Sequence, residues 1–488
     1  MNLKQRPSTR PTQNTSSSTH STNRSTALAL AISAILLATP AAFAQQYDLQ
    51  VLDSLDSGIF DNAGASAINE SLQVAGWSAD ANGKVFAVIW QPDGSITNLG
   101  TLGINGETTS VAKDLNDSAW AVGVSSEESG GDIRFTNRAF LYRNGQMENL
   151  GMLPNATSSD AQAINNLGDV VGFCRFFDEA TNRWSSHAAK WDHTTETWSD
   201  LEMFPNGSSS ATDINDQGDV IGWDHDENFN WHYVIWKQDG SIVDLADSFS
   251  RTITAINNQG EVVGSKYTGV DNEYIAVSWK NGITTELGYL GKTQFKSHVS
   301  EALGLSDDGR IVGFSSSKNQ YLSPFILQNE VMLDLDMLHN TFNIPLRAHD
   351  LTSTGVVLVS GSAGSADRPM IMTPINYPIA LANPNPGTAG TTNTFAADGA
   401  TPGNKIYFVY GFKEARELWG AAEVPGCPGL WVNIKNPIIA ASVNADAVGH
   451  AEFSAPVPPS FAGSVLMMEA VDPAQCTLSN LVAYRFPQ

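Results

Sequence analysis

The residues best suited to chemistry are aromatic and charged side chains in three long segments between predicted strands, at 125–137, 175–186 and 223–231. Aromatic rings beside carboxylates are how proteins hold sugars or cationic groups. We therefore predict a ligand site in which two tryptophans anchor the ligand and an acid and a histidine are its polar partners. The alternative is that the rings pack back over the strands while the acids are solvated. The predicted ligand-binding residues are Trp184, His225, Asp226 and Trp231.

A second set of candidates consists of acids and a histidine on the predicted innermost strands. If they met in a central channel, they could serve as acid and base in a glycoside hydrolase or lyase. Such groups are scarce on these strands, and their scarcity favours a protein without catalytic residues. The set is Asp114, Asp213, His349 and Asp350.

Motifs of common enzyme and metal sites are missing from the sequence. It contains no Gly-x-Ser-x-Gly, phosphate loop, His-Glu-x-x-His or Cys-x-x-Cys. Asp213, Asn215 and Gln217 loosely resemble the start of a calcium loop. However, Ala163 and Ala255 replace the first acid in neighbouring copies, and a hairpin turn explains the spacing. We therefore predict no metal and no cofactor.

These residues lie within a repeat that occurs seven times, with copies 42 to 50 residues apart. An apolar residue, usually followed by Asn, precedes two turn residues, often Gly, and an apolar pair ending in Gly. Leu72 and Ala119 stand where the turn glycine belongs in the first two copies, so we expect those two turns to differ. The copies begin at Ile68, Leu115, Ile164, Ile214, Ile256, Leu305 and Leu351.

Each copy has the pattern of four short antiparallel strands, which is a propeller blade. The last copy lacks a clear fourth strand, whereas residues 47–55 form an extra strand before the first copy. We therefore predict that the N-terminal strand closes the ring by completing blade seven, which would remove an exposed edge. The predicted fold is all-β, with a seven-bladed propeller at 45–375; an open β-solenoid is the alternative.

Residues 138–151 and 163–172 resemble the extracellular HAF repeat of secreted bacterial proteins. The resemblance covers residues 47–375, and His187-Ala188-Ala189 is the nearest case of the His-Ala-Phe triplet. It implies export and repetition, but it brings no catalytic residues.

The C-terminal part follows a linker predicted at 376–388, after which the repeat does not resume. Short strands separated by Pro and Gly predict a small β-sandwich at 389–488, similar to accessory modules of other secreted bacterial proteins. In an oxidising compartment Cys427 and Cys476 should form a disulfide, which leaves Cys174 as a free thiol.

The N-terminal residues 1–44 have the pattern of a secretory signal peptide. They contain four basic residues, no acid and a 12-residue apolar run before Ala42-Phe43-Ala44. The run is too short to span a membrane. We predict cleavage after Ala44 and a secreted, periplasmic or cell-surface protein.

The charge balance limits the partners. The chain of 488 residues has 27 basic and 51 acidic residues, and removal of the four basic residues of the leader would leave a net charge of −28. This charge excludes nucleic acid, and no later segment is apolar enough to span a membrane. We predict a non-catalytic, secreted or surface-associated propeller protein that binds an extracellular glycan or protein; the alternative is a propeller enzyme.

Overall fold

The computed structural model describes most of the chain from residue 47 onward. The predicted signal peptide and its cleavage site lie outside the described residues, as do 376–378 of the predicted linker and 128–136 of the first long segment. In the described part, no helix is long and apolar enough to cross a membrane. The described residues are 47–56, 62–103, 107–127, 137–201, 207–226, 228, 230–245, 248–270, 272–291, 298–317, 322–328, 330–337, 344–363, 366–374, 379–411, 422–423, 427, 431–432, 434, 438–479 and 482–486.

Seven four-stranded antiparallel sheets form the blades of a β-propeller, which confirms the predicted number and size of the blades. Blades 1 to 6 each use four consecutive strands. The strands are, in blade 1, β2 (Ala63–Ile68), β3 (Val74–Ala79), β4 (Val85–Trp90) and β5 (Ile96–Gly100); in blade 2, β6 (Glu107–Leu115), β7 (Ala121–Glu127), β8 (Arg138–Arg143) and β9 (Gln146–Asn149); in blade 3, β10 (Ser158–Ile164), β11 (Val170–Asp178), β12 (Arg183–Asp192) and β13 (Thr197–Asp200); in blade 4, β14 (Ser208–Ile214), β15 (Val220–His225), β16 (Trp231–Trp236) and β17 (Ile242–Asp244); in blade 5, β18 (Thr252–Ile256), β19 (Val262–Tyr267), β20 (Tyr274–Lys280) and β21 (Ile283–Gly288); and in blade 6, β22 (Ser300–Leu305), β23 (Ile311–Ser315), β24 (Ser323–Gln328) and β25 (Val331–Asp334).

Blade 7 combines strands from the two ends of the repeat region. It contains β26 (Ile344–Leu351), β27 (Val357–Ala363) and β28 (Ala366–Pro374), and its outermost strand is β1 (Tyr47–Val51). The register of β1 against β28 runs from Tyr47 opposite Pro374 to Val51 opposite Met370. A short 3₁₀ turn, Leu335–Met337, precedes this blade.

In blades 1 to 5 the turn after the innermost strand is held by the asparagine of the repeat, and in blades 6 and 7 Ser306 and Thr352 stand at this position. In blade 3, Asn165 Oδ1 accepts the backbone N–H of Leu167 at 3.1 Å and of Asp169 at 2.9 Å. Leu72 (φ 61°) and Ala119 (φ 59°) adopt the left-handed conformation that Gly adopts elsewhere, so our expectation that their turns differ was wrong. The asparagine bonds outweigh the cost of about 1–2 kcal/mol for a left-handed L-residue.

Serine hydroxyls join neighbouring blades at the other end of the innermost strands. Ser159 Oγ of blade 3 accepts the N–H of Ala139 at 3.0 Å and donates to the carbonyl of Gly151 at 2.7 Å. Ser300 of blade 6 does the same with Ala276 at 2.9 Å and Gly288 at 2.7 Å. One hydroxyl thus bonds to a backbone N–H and a backbone carbonyl of the preceding blade that have no partner in its sheet.

The C-terminal part contains two antiparallel sheets that share one hydrophobic cluster, which includes Phe395, Phe408 and Met468. A second cluster contains Leu333 and Met372 of the propeller together with Met467 and Leu478. The strands are β29 (Ala380–Leu381), β30 (Thr392–Asp398) and β35 (Ala451–Pro456) in one sheet; β31 (Lys405–Gly411), β34 (Ile438–Asn444), β36 (Val465–Asp472), β37 (Thr477–Leu478) and β38 (Val482–Arg485) in the other; and the separate pair β32 (Ala422–Glu423) and β33 (Trp431–Val432), with a 3₁₀ turn at Pro459–Phe461.

The cysteines are arranged as predicted. Cys427 and Cys476 form a disulfide with a Cα–Cα distance of 5.3 Å, and Cys174 is free and buried. In the chain-entropy description, a disulfide that closes the loop between Cys427 and Cys476 stabilises the fold by about 4 kcal/mol. Burial raises the pKa of the Cys174 thiol to about 11, which keeps it unreactive.

Candidate functional site

Three aromatic side chains on consecutive blades are exposed at the same end of the propeller. Trp184 of blade 3 is 45% exposed, Trp231 of blade 4 is 52% exposed and Tyr267 of blade 5 is 55% exposed. Each lies where the second and third strands of its blade join. Among the residues whose side chains the structure describes, no other Trp, Tyr or Phe is exposed. We call these three residues the aromatic row.

Trp184 lies on a hairpin that extends beyond the rest of blade 3. The segment 175–186, predicted as a variable loop, instead continues strands β11 and β12 to a short turn after Asp178. Trp184 pairs with Phe177 across these strands, and the ring centroids are 4.9 Å apart. Because the cross-strand pair fixes one side of the indole, the exposed remainder is presented on a rigid support.

Trp231 packs within a small aromatic cluster of blade 4. It lies opposite His225 in the sheet, with ring centroids 5.2 Å apart, and 4.8 Å from the ring of Trp223. The structure therefore brings two of the predicted site residues into contact. About half of the indole is packed and the other half is in solvent. Trp231 therefore packs over the strands, as one interpretation of the sequence expected, and also presents an exposed face, as the ligand-anchor interpretation requires.

The carboxylate of Asp226 is used by the turn that follows His225. Its Oδ1 accepts the backbone N–H of Asn230 at 3.0 Å and of Asn228 at 2.8 Å, while Oδ2 accepts the side-chain amide of Asn230 at 2.8 Å. These hydrogen bonds from Asn230 and Asn228 lower the pKa of Asp226. His225 Nδ1 lies 3.0 Å from the Asp226 carbonyl oxygen. The role of Asp226 and His225 as polar partners of a ligand stays a prediction.

Tyr267 is the member of the row that sequence reasoning missed. It stands opposite Tyr274, whose ring lies under the guanidinium of Arg251 at 3.8 Å, and Arg251 also pairs with Glu301 at 2.5 Å. The segment between the two strands is short here, so loop length gave no signal. The spacing of Tyr267 and Tyr274 on either side of a Gly-containing turn was the available clue.

The innermost strands place three aspartates at equivalent positions of blades 2, 4 and 7. Each follows a β-bulge, at which the register shifts after Ala112, Ala211 and Ala348. The bulge turns the next N–H of the strand away from its partner strand. The aspartates are Asp114, Asp213 and Asp350.

Each of these carboxylates connects two blades. Asp114 Oδ1 accepts the N–H of Leu115 in its own strand at 2.8 Å, while Oδ2 accepts the N–H of Ile164 in the next blade at 2.8 Å. Asp213 Oδ2 bonds in the same way to the next blade, at 2.9 Å from Ile256 N. Asp350 Oδ2 accepts the N–H of Ile68 of blade 1 at 2.9 Å. Both oxygens of each acid are thus engaged by backbone donors.

Burial penalises the ionised form of these acids more than the N–H donors favour it. Burial raises the pKa of Asp213 to about 7 and that of Asp350 to about 6. The pKa of Asp114 is raised well above its ordinary value by burial and by repulsion from Asp213 and Asp350. His349 does not join them, because its Nε2 lies 2.6 Å from Ser360 Oγ. Burial lowers the pKa of His349 to about 4, so it is neutral.

The mouth of the channel is a polar cavity of about 280 Å³ lined by turn residues of all seven blades. Asn69 Nδ2 donates to the Asn116 carbonyl at 3.0 Å, and Asn116 Nδ2 donates to the Asn165 carbonyl at 3.1 Å. The same bond continues to blade 6 through Asn215 and Asn257. Most polar groups at the mouth therefore join one blade to the next.

The calcium-like spacing in blade 4 corresponds to this turn. Asn215 Oδ1 accepts the N–H of Gln217 at 3.1 Å and of Asp219 at 3.0 Å, so that side chain already bonds to the backbone. Within the described ranges, no group of three His, Cys, Asp or Glu residues is arranged to hold a metal ion.

Comparisons with known proteins show no family for this chain. No protein-family model and no curated protein matches the sequence. Three similar solved structures are a fungal alcohol oxidase of the AA5 family in complex with copper (11% identity, 91% of this chain and 100% of that chain, TM-score 0.38), the β-propeller domain of the Trilobed protease from Pyrococcus furiosus (12%, 58% and 87%, 0.38) and TolB from Acinetobacter baumannii (11%, 67% and 96%, 0.32). At these TM-scores the three structures support no conclusion about this chain.

Proposed function

We propose that the protein is a non-catalytic β-propeller that binds an extracellular glycan through the aromatic row. The observation that carries the proposal is that the exposed aromatic residues of the described chain, Trp184, Trp231 and Tyr267, occupy equivalent ends of three consecutive blades. The flat, apolar C–H face of a sugar ring packs on an indole or phenol ring, and rings held by the sheets lose little entropy on binding. A row across blades suits an extended chain of sugars.

The charge of the chain narrows the glycan to a neutral one. The 51 acidic residues outnumber the 27 basic residues, and long-range repulsion opposes the approach of an anionic polysaccharide. The row itself consists of uncharged side chains. A neutral glucan or a similar chain is therefore the ligand class that we propose.

The central acids support a binding role over a catalytic one. A general acid or base needs an oxygen that can reach the substrate, whereas both oxygens of Asp114, Asp213 and Asp350 accept backbone N–H groups of two blades. Their raised pKa values follow from burial. We therefore interpret them as connections between blades.

The test is affinity for neutral polysaccharides, measured with the full chain on a glycan array and then by titration calorimetry. Trp184→Ala and Trp231→Ala should each weaken binding about thirtyfold, which is the usual cost of removing an aromatic anchor that the bound ligand buries. Ile283→Ala is the matched control. Ile283 is 70% exposed, but it begins the fourth strand of blade 5 and so lies at the end of the blade opposite to the aromatic row. Unchanged binding by both tryptophan variants would contradict the site. Binding only to a protein partner would replace the glycan.

We further infer that the propeller is a closed ring. The pairing of β1 with β28, the bond between Ile68 and Asp350 and the bond from Ser353 Oγ to Glu70 Oε2 at 2.7 Å all support closure. In the same way, the two C-terminal sheets with a common core support a β-sandwich.

Membership of the HAF-repeat family and export are also proposals. The disulfide between Cys427 and Cys476 is compatible with an extracellular location. N-terminal sequencing of the protein recovered from the culture medium or the periplasm should begin at Gln45. A cell-associated chain that retains residues 1–44 would contradict export.

A further inference from the structure

A cavity of about 230 Å³, open to solvent on one side, lies between the two C-terminal sheets, and the proposed glycan site does not involve it. Phe395 and Phe453 line it from the sheet of β30 and β35. Phe408, Leu466 and Met468 line it from the sheet of β31 and β36. The cavity therefore lies between the two sheets, and side chains of both sheets form its wall.

The lining of this cavity is apolar. Apart from Tyr410, every residue that lines it is Phe, Leu, Met, Val, Ala or Pro. A water molecule needs two to four polar partners to be held in a cavity, and this lining offers very few. Charged and strongly polar ligands are excluded for the same reason. The chemistry of the wall selects a hydrocarbon group.

The wall of the cavity is already formed. The ring of Phe453 is stacked on Phe395 with centroids 4.9 Å apart and meets Phe408 edge-on, also at 4.9 Å. Phe395, Phe408 and Met468 are buried, with 4 to 6% of their surfaces exposed. A ligand would therefore enter a shaped space and would not have to create one.

The cavity opens to solvent between two edge strands. Ala440 of β34 and Pro456 of β35 line its rim and are exposed, and each of these strands is the outermost strand of its sheet. An elongated apolar molecule can therefore enter at this edge without unfolding either sheet, and its polar end can remain in water.

We propose that this cavity binds a straight alkyl chain of about nine carbon atoms. An apolar cavity of about 150 Å³ holds one benzene molecule of six carbons, and scaling by volume to this cavity gives the length. Left empty, a space of this size deprives its lining of contact atoms and destabilises the fold. An alkyl ligand restores those contacts.

The experiment titrates the full chain with straight-chain 1-alkanols from butanol to dodecanol and measures affinity by calorimetry and the shift of Tm. Affinity should rise about fourfold per added methylene, the value for burying one CH₂ group, and should stop rising near nine carbons. A rise that continues unchanged to dodecanol, or the absence of saturable binding, would overturn the proposal. Formation of a dimer through this edge would assign the cavity to a second copy and would also overturn it.

Two variants locate the site. Ala455→Leu places three more carbons in the cavity and should shorten the optimal alkanol by about three carbons, whereas Leu466→Ala should lengthen it by a similar amount. If the first variant does not fold, the second decides, and an unchanged optimum in a folded variant contradicts the site. Trp184→Ala should leave alkanol binding intact, which separates this inference from the proposed glycan site.

Discussion

Replacement of Asp213 by Asn should flatten the pH dependence of the stability of the propeller. Burial raises the pKa of Asp213 to about 7 and that of Asp350 to about 6, both above the value of an unfolded chain. A carboxyl group of this kind favours the folded state below its unfolded pKa, and this contribution is lost as the pH rises through the folded pKa. The loss for these two groups therefore falls between about pH 4 and pH 7.

The magnitude follows from the two pKa values. Between pH 5 and pH 8 the free energy of unfolding should fall by about 3 kcal/mol through Asp213 and about 1 kcal/mol through Asp350, at about 1.4 kcal/mol per pKa unit. The assay is urea unfolding, followed by tryptophan fluorescence, at four pH values in this range. Asp114, whose pKa is also raised, adds a loss of the same sign in both chains, so the loss in Asp213→Asn should be about 3 kcal/mol smaller than in the wild-type chain.

The slope with pH is the readout, and the absolute stability is not. Asn has only one acceptor oxygen, so the N–H of Ile256 or of Ile214 loses its partner and the variant is less stable at every pH. The control is Asp80→Asn, a half-buried turn acid whose pKa is lowered by the N–H groups of Lys84 and Asn82 and which titrates below this range. An unchanged slope in Asp213→Asn would refute the reasoning.

Three further predictions concern the turns, the closure and the free thiol. Ala119→Gly should raise the free energy of unfolding by about 0.5–1 kcal/mol and Gly260→Ala should lower it by about 1 kcal/mol, since both positions are left-handed and only Gly adopts that conformation without strain; urea unfolding measures both, and equal signs would contradict this. Deletion of residues 47–55 should lower Tm or cause aggregation by exposing the edge of blade 7, and an unchanged melting curve would contradict closure. Cys174 should react with iodoacetamide only after unfolding, as mass spectrometry would show, and rapid labelling of the native protein would contradict its burial.

The number of blades could be predicted from the sequence because each blade repeats the same local signals. The asparagine that follows the innermost strand in blades 1 to 5 and the turn Gly in blades 3 to 7 mark a turn that depends on neighbouring residues only. The turn at Ala119 was mispredicted because Asn116 Oδ1 accepts the backbone N–H groups of Ser118 and Trp120, at 3.0 Å each, and these bonds hold the conformation without Gly.

The roles of the central acids could not be predicted from the sequence. Asp114 bonds to Ile164, which lies 50 residues further along the chain, through an N–H that is available because of a bulge. A bulge leaves no clear pattern in the sequence, and the partner is set by the packing of two blades. Tyr267 was missed because the segment between its two strands is short and loop length therefore gave no signal.

The pairing of β1 with β28 determines when the molecule can finish folding. Val51 waits for Met370, which is synthesised more than 300 residues later. At roughly 5–20 residues per second, the ribosome needs roughly 15 to 65 seconds to cover that distance. During this interval β1 has no sheet to join, and blade 1 lacks one neighbour. The slowest event in assembly is therefore expected to be arrival of the last blade, and a chain cut short before residue 366 would display its first strand to chaperones and proteases.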